Sequence, residues 1–89
     1  MNILYTTQFK KDYKRVKKQN KNLDKLRDVV EKLANGEHLP SQYHDHQLAG
    51  RWSGHRDCHI EPDWLLIYMI AGDELHLERT GSHAELFKK

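Results

Sequence analysis

The side chains best suited to chemistry in this sequence are its histidines. There are seven, and all fall in the second part of the chain. His44 and His46 are two apart and share a face of an extended strand, as do His55 and His59, four apart. His83 lies beyond the last candidate strand, in "RTGSH" (79–83), where a cation, two hydroxyls, a glycine and an imidazole stand together. Imidazole titrates near neutrality, so one histidine can accept a proton while another donates. In a meander the ends of neighbouring strands come together, and His46, His59, Asp63 and His83 could then converge, with Arg79 nearby. Such a set meets the needs of RNA cleavage. The 2′-OH is the built-in nucleophile, a base and an acid serve the attacking and departing oxygens, and an arginine fork meets phosphate oxygens in pairs. Zinc is the competing chemistry, with Asp45, Asp57 or Asp63 beside the imidazoles. No HExxH and no paired CxxC is present, so neither a metal nor another cofactor is expected.

Each of these residues also has an ordinary reading. By strict alternation Arg79 falls on the Leu75/Leu77 side of its strand, where it would pair with a carboxylate at the sheet rim. Trp64 opens an apolar strand and reads as core, although an exposed aromatic face would stack on an unpaired base. Phe87 fits either role. His38, His44, His55 and His76 are assigned ordinary hydrogen bonds.

The elements that must position these groups follow from periodicity. "NILY" is a short first strand. Thr6 or Thr7 offers a helix N-cap, and Phe9, Tyr13 and Val16 form one stripe of a helix ending near Gln19. Leu23, Leu26, Val29, Val30 and Leu33 form a second stripe, closed by Asn35 and Gly36. The pattern then turns to strands: a short "DHQLAG", then "RWSGHRDCHI" with Cys58 and Ile60 on one face and Asp57 and His59 on the other. After the "EPD" turn comes "WLLIYMI", whose continuous apolar character suits a strand covered on both sides. "AGDE" is a turn, "LHLERT" the next strand, and "SHAELF" a closing helical turn with Ser82 as N-cap. The expectation is a single α+β domain over residues 1–89: an N-terminal strand, a two-helix hairpin packed on an antiparallel β-sheet, and a short C-terminal helical turn.

Composition narrows the classes further. At 89 residues the chain has room for one core. Cys58 is alone, which excludes an internal disulfide and favours a reducing compartment. Neither a signal peptide nor a run of about 20 apolar residues is seen, so a soluble cytoplasmic protein is expected, with no membrane partner. The net charge of +2 hides an asymmetry: residues 1–33 hold ten Lys/Arg against four acids, while the remainder holds five against nine. A basic helical hairpin is either a solvated face or a surface for a polyanion.

The patterns "DHxLxGxWxGxRDxHxEPDWxLIY" and "ERTGxHxxLF", as they occur here, resemble the YafQ branch of the RelE/ParE superfamily of bacterial toxin components. The resemblance spans essentially the whole chain. It implies a type II toxin–antitoxin component that cuts mRNA in the ribosomal A site without metal, inhibiting translation. Carried over by position, it makes His46, His59, Asp63 and His83 the catalytic set. His83 would be the acid, Asp63 or His46 the base, and His59 the phosphate stabiliser. Arg79, Phe87 and Trp64 form the substrate-binding group, with Phe87 placing the mRNA and Arg79 touching phosphate. The implied partners are a cognate antitoxin (DNA-binding, of ribbon-helix-helix or similar type), the 70S ribosome and mRNA, with operator DNA reached only through the antitoxin complex. The basic hairpin would face ribosomal RNA. Two alternatives remain: a non-catalytic ParE-like toxin that binds DNA gyrase, and a plain RNA-binding or co-repressor module. Several imidazoles beside a carboxylate favour the catalyst.

Overall fold

The computed structural model describes residues 1–87. The order of elements is β1 (Asn2–Tyr5), α1 (Thr7–Lys18), α2 (Leu23–Ala34), a 3-10 turn (Ser41–Tyr43), β2 (His46–Gln47), a second 3-10 turn (Gly50–Trp52), β3 (Arg56–Glu61), β4 (Trp64–Ala71), β5 (Glu74–Gly81) and α3 (His83–Leu86).

Local chemistry fixes both helix ends. Thr6 is the N-cap of α1: its Oγ1 accepts from the Phe9 N–H at 2.9 Å and donates to the Glu78 carbonyl at 2.9 Å, tying the helix start to β5. Asn20, at φ 59°, takes the left-handed position after α1. There Asn20 N–H donates to the Lys17 carbonyl and Lys21 N–H to the Val16 carbonyl, the paired bonds of a Schellman ending. Gly36 repeats this after α2, with Gly36 N–H donating to Leu33 and Glu37 N–H to Lys32.

The five strands form one sheet in the order β1-β5-β4-β3-β2. Phe9 and Val16 of α1 and Leu26, Val29 and Leu33 of α2 pack with Cys58, Ile60, Trp64, Leu66, Tyr68, Leu75 and Leu77. On the opposite face Leu65 and Ile67 are covered by Leu86 and by the half-buried Leu48, Trp52 and Phe87. Alternate residues of β4 therefore enter two cores, which explains its unbroken apolar run.

Three details differ from the sequence expectation. The sheet is mixed, because β1 joins the far edge parallel to β5, with Ile3 opposite Leu75. Hydrophobic alternation says which face a strand buries and nothing about its neighbour. The segment expected to be strand from Arg51 instead makes a 3-10 turn, with Gly50 and Gly54 at φ 63° and 87°, and extended pairing begins at Arg56. Finally, β5 carries a bulge. Tyr68 faces Leu77 but Ile67 faces Arg79, so Glu78 is an extra residue. Arg79 thereby leaves the Leu75/Leu77 row to which simple alternation assigns it.

Candidate active site

The register of the sheet gathers the histidines at one end. Leu65 pairs with His59 on one side and Gly81 on the other. Carrying the β4–β5 register two residues further sets Asp63, in the turn before β4, opposite His83. The contact follows: the His83 N–H donates to Asp63 Oδ1 at 3.0 Å, and His83 Nδ1 lies 2.7 Å from the same oxygen. A carboxylate can only accept from this pair, so Nδ1 carries the proton and Nε2 is the nitrogen left for chemistry. These hydrogen bonds from the His83 backbone and ring hold the Asp63 carboxyl below its ordinary pKa.

The His59 ring stands 5.5 Å from that of His83, edge to face, and 5.4 Å from that of His44. Phe87 follows on the other side of His83, 6.4 Å between ring centres. His46 lies across β3. Its Nδ1, 2.8 Å from the His44 carbonyl, must be the donor there, which again leaves Nε2 for proton exchange. That Nε2 lies 3.2 Å from Asp57 Oδ1, yet off the hydrogen-bond direction, so this buried oxygen has no hydrogen-bond partner among the described residues. Burial raises the Asp57 carboxyl above its ordinary pKa, while His46, His59 and His83 pull the other way.

His46, His59, Asp63 and His83 are thus brought to one face, with Phe87 beside them. Two other residues, each open to two readings in the sequence, take the ordinary one in the structure. Trp64 is fully buried in the helix-side core, where its Nε1–H donates to Thr80 Oγ1 at 2.9 Å; no face of it is open to a base. The Arg79 guanidinium is engaged by buried Asp12 of α1, with Nε at 2.7 Å from Oδ2 and Nη2 at 3.2 Å from Oδ1. One edge of the fork is therefore committed to structure. In the other direction, Asp57 and His44 belong to the cluster and were not placed in it from sequence. The signal for Asp57 was present, since it shares a strand face with His59. His44 needed its left-handed backbone, φ 49°, to turn toward His59. His55 and His76 behave ordinarily, beside Trp52 and Glu74 respectively.

The site is open. His46 and His83 each expose 54% of their side chains and Asp63 exposes 68%, which suits a large substrate laid across a surface. The broad apolar groove of the molecule lies elsewhere, between α1, α2 and β1, lined by Ile3, Tyr5, Phe9, Tyr13, Leu26 and Val30. It contains no histidine. Among the described residues, no three His, Cys, Asp or Glu side chains are grouped to hold a metal ion, and no helix is long and apolar enough to cross a membrane.

Exposed imidazoles therefore line one face of a small helix-backed sheet. The family model described as "Bacterial toxin of type II toxin-antitoxin system, YafQ" matches residues 1–88, and the chain belongs to that family. It is similar to the mRNA interferase toxin YafQ of Escherichia coli strain K12, 46% identical over 86 residues that cover 96% of this chain and 94% of that protein. Its structure is similar to the crystal structure of YafQ from E. coli strain BL21(DE3), with 45% identity, a TM-score of 0.93 and 97% of each chain covered. The E. coli DinJ–YafQ complex contains a chain 46% identical, with a TM-score of 0.91 and 97% of each chain covered.

Proposed function

We propose that this chain, acting as one domain over residues 1–89, is a cytoplasmic toxin that cleaves mRNA on the ribosome and is restrained by an antitoxin. The observation that carries the reading is the Asp63–His83 pair, which leaves His83 Nε2 exposed beside His59. In the step envisaged, His46 Nε2 takes the proton of the 2′-OH as that oxygen attacks phosphorus. The bond to the 5′-oxygen breaks, and His83 Nε2–H protonates the departing oxygen. The products are a 2′,3′-cyclic phosphate and a 5′-hydroxyl. His59, beside His83, would donate to the non-bridging oxygens. Asp63 is better suited to orienting His83 than to acting as base, because a carboxylate of lowered pKa is a weak proton acceptor. Phe87 is half-buried beside His83 and available to stack on a base. Arg79 would offer phosphate only the guanidinium edge that Asp12 leaves free.

The positive hairpin supports docking on ribosomal RNA. The relative described in complex with DinJ supports an antitoxin as the restraining partner. The test is to map 5′ ends on a defined mRNA programmed on ribosomes, with wild-type protein and with His83→Ala, alongside a ribosome-free control. Discrete A-site cuts that vanish in the variant are expected. Intact mRNA with loss of supercoiling by gyrase would overturn the reading.

A further inference from the structure

The junction between β5 and α3, just before His83, is surrounded by charged groups whose connections lead back to α1. Asp12, fully buried, accepts from Arg79, from Arg15 Nη1 at 3.0 Å, from Gln8 at 3.3 Å and from the Thr80 N–H at 3.2 Å. Arg15, one turn further along α1, donates through Nη2 to the Thr80 carbonyl at 2.8 Å. Its Nε lies 3.1 Å from Glu85 Oε2, an ion pair off the hydrogen-bond direction. The other Glu85 oxygen accepts from the Ser82 N–H at 2.8 Å, while Ser82 Oγ accepts from the Glu85 N–H at 3.2 Å. That reciprocal pair is the capping box of α3. A continuous path therefore runs from Asp12 through Arg15 and Glu85 to Ser82, ending one residue short of His83.

Two features show how closely this path is built. Gly81 sits inside it: a Cβ there would collide with Arg15 Nη2 and Glu85 Oε1. And α3 has only four residues, far too few to hold a helical turn by itself, so tertiary contacts must set its orientation. Arg15 addresses three acceptors on three elements with one rigid fork, which a lysine ammonium on a flexible stem cannot reproduce.

Building on the acid role proposed for His83, we infer that Arg15 and Glu85 are positioning residues: anchored on Asp12, they fix α3 so that His83 Nε2 meets the departing oxygen. Asp63 holds one edge of the ring, and the Arg15–Glu85 pair holds the helix that bears it. Loosening the pair lets α3 shift by on the order of 1 Å, a misplacement that lowers the chemical step by up to ~10²-fold.

Single-turnover cleavage of ribosome-programmed mRNA would be compared for wild type, Glu85→Gln, Arg15→Lys and, as a control on an exposed pair, Asp28→Asn. Ribosome affinity and the ¹⁵N resonances of the His83 ring would be recorded for each. A glutamine amide oxygen can still accept from the Ser82 N–H, so Glu85→Gln keeps the cap and removes the charge that faces Arg15, together with the oxygen that accepts from Gln19 at 3.3 Å. Both test variants should cut ~10–100-fold more slowly at unchanged ribosome affinity, with displaced His83 resonances, while Asp28→Asn matches wild type. Wild-type cleavage rates with unmoved His83 resonances in Glu85→Gln would overturn the inference, and this variant decides the matter should Arg15→Lys fail to fold. A wild-type protein that does not cut would overturn the proposed function instead, leaving the His83 resonances to judge the clamp.

Discussion

Replacing Asp12 with alanine should destabilise the fold well beyond the usual effect of a single polar substitution. The carboxylate is fully buried and receives five hydrogen bonds, two from Arg79 and one each from Arg15, Gln8 and the Thr80 N–H. Alanine leaves all five donors without this acceptor. Breaking a buried ion pair by removing one partner costs about 3–5 kcal/mol. Here Arg79 and Arg15 keep 21% and 33% of their side-chain surface, so water recovers part of the loss and ~3 kcal/mol is the better figure. A domain of this length has a total stability of roughly 4–13 kcal/mol. The loss should lower the melting temperature by about 12–24 °C.

The pH dependence identifies the cause. Burial pushes the Asp12 carboxyl up, but hydrogen bonds from Arg79, Thr80 and Gln8, with the Arg79 charge, outweigh it and hold the pKa below its ordinary value of 3.8. A carboxyl depressed in the folded state contributes stability above its unfolded pKa and loses it as pH falls through the folded one. Urea unfolding followed by circular dichroism should therefore show the full gap between wild type and variant at neutral pH, closing below about pH 4. A gap under about 1 kcal/mol at neutral pH, or one that persists undiminished in strong acid, would refute the buried-hub assignment.

Other substitutions test the remaining parts of the site. His83→Ala should lower single-turnover cleavage by ~10²–10⁴-fold with ribosome affinity intact, read from rate against protein concentration. Asp57→Asn should raise stability at neutral pH: a carboxyl raised by burial contributes stability below its unfolded pKa and loses it as pH rises through the folded one. The urea midpoints of variant and wild type should therefore converge near pH 4 and separate above it, and identical midpoints at neutral pH would count against an unpartnered buried charge. Trp64→Phe removes the donor to Thr80 Oγ1 and should cost about 1–2 kcal/mol. Its cleavage rate should stay within about twofold of wild type at temperatures where it is folded, since proton-transfer groups are untouched; a rate loss of ~10²-fold would return Trp64 to the substrate.

The parts of the fold legible in the sequence were those set by neighbours in the chain. Thr6 and Gly36 mark helix ends through bonds spanning no more than five residues, and Ser82 announces α3 in the same way. Periodicity puts Phe9, Tyr13 and Val16 in the apolar stripe of α1, yet the structure buries Asp12 and leaves Tyr13 37% exposed. Helical periodicity cannot choose between positions 12 and 13. The choice is made by Arg79, 67 residues away, which supplies the charge that makes a buried aspartate tolerable. The parallel partner of β1 and the orphaned oxygen of Asp57 were hidden for the same reason: each depends on residues that only the folded sheet brings close.

The bulge in β5 shows how far one such residue reaches. Were β5 regular from Leu77 onward, Ile67 would face Glu78, Leu66 would face Arg79, and His83 would stand opposite Pro62. The extra residue at Glu78 moves each pairing by one, so that Thr80 faces Leu66 and meets Trp64, and His83 comes level with Asp63. A shift of one residue turns every side chain to the other face of a sheet. The bulge therefore sets the Asp63–His83 pair on the open face, while the Arg79 guanidinium, moved off the Leu75/Leu77 row, still reaches Asp12 of α1. "RTGSH" gives the chemical types needed for an acid and its support. Which of those side chains reaches solvent, and which becomes a strut, is settled upstream by a residue with no part in the chemistry.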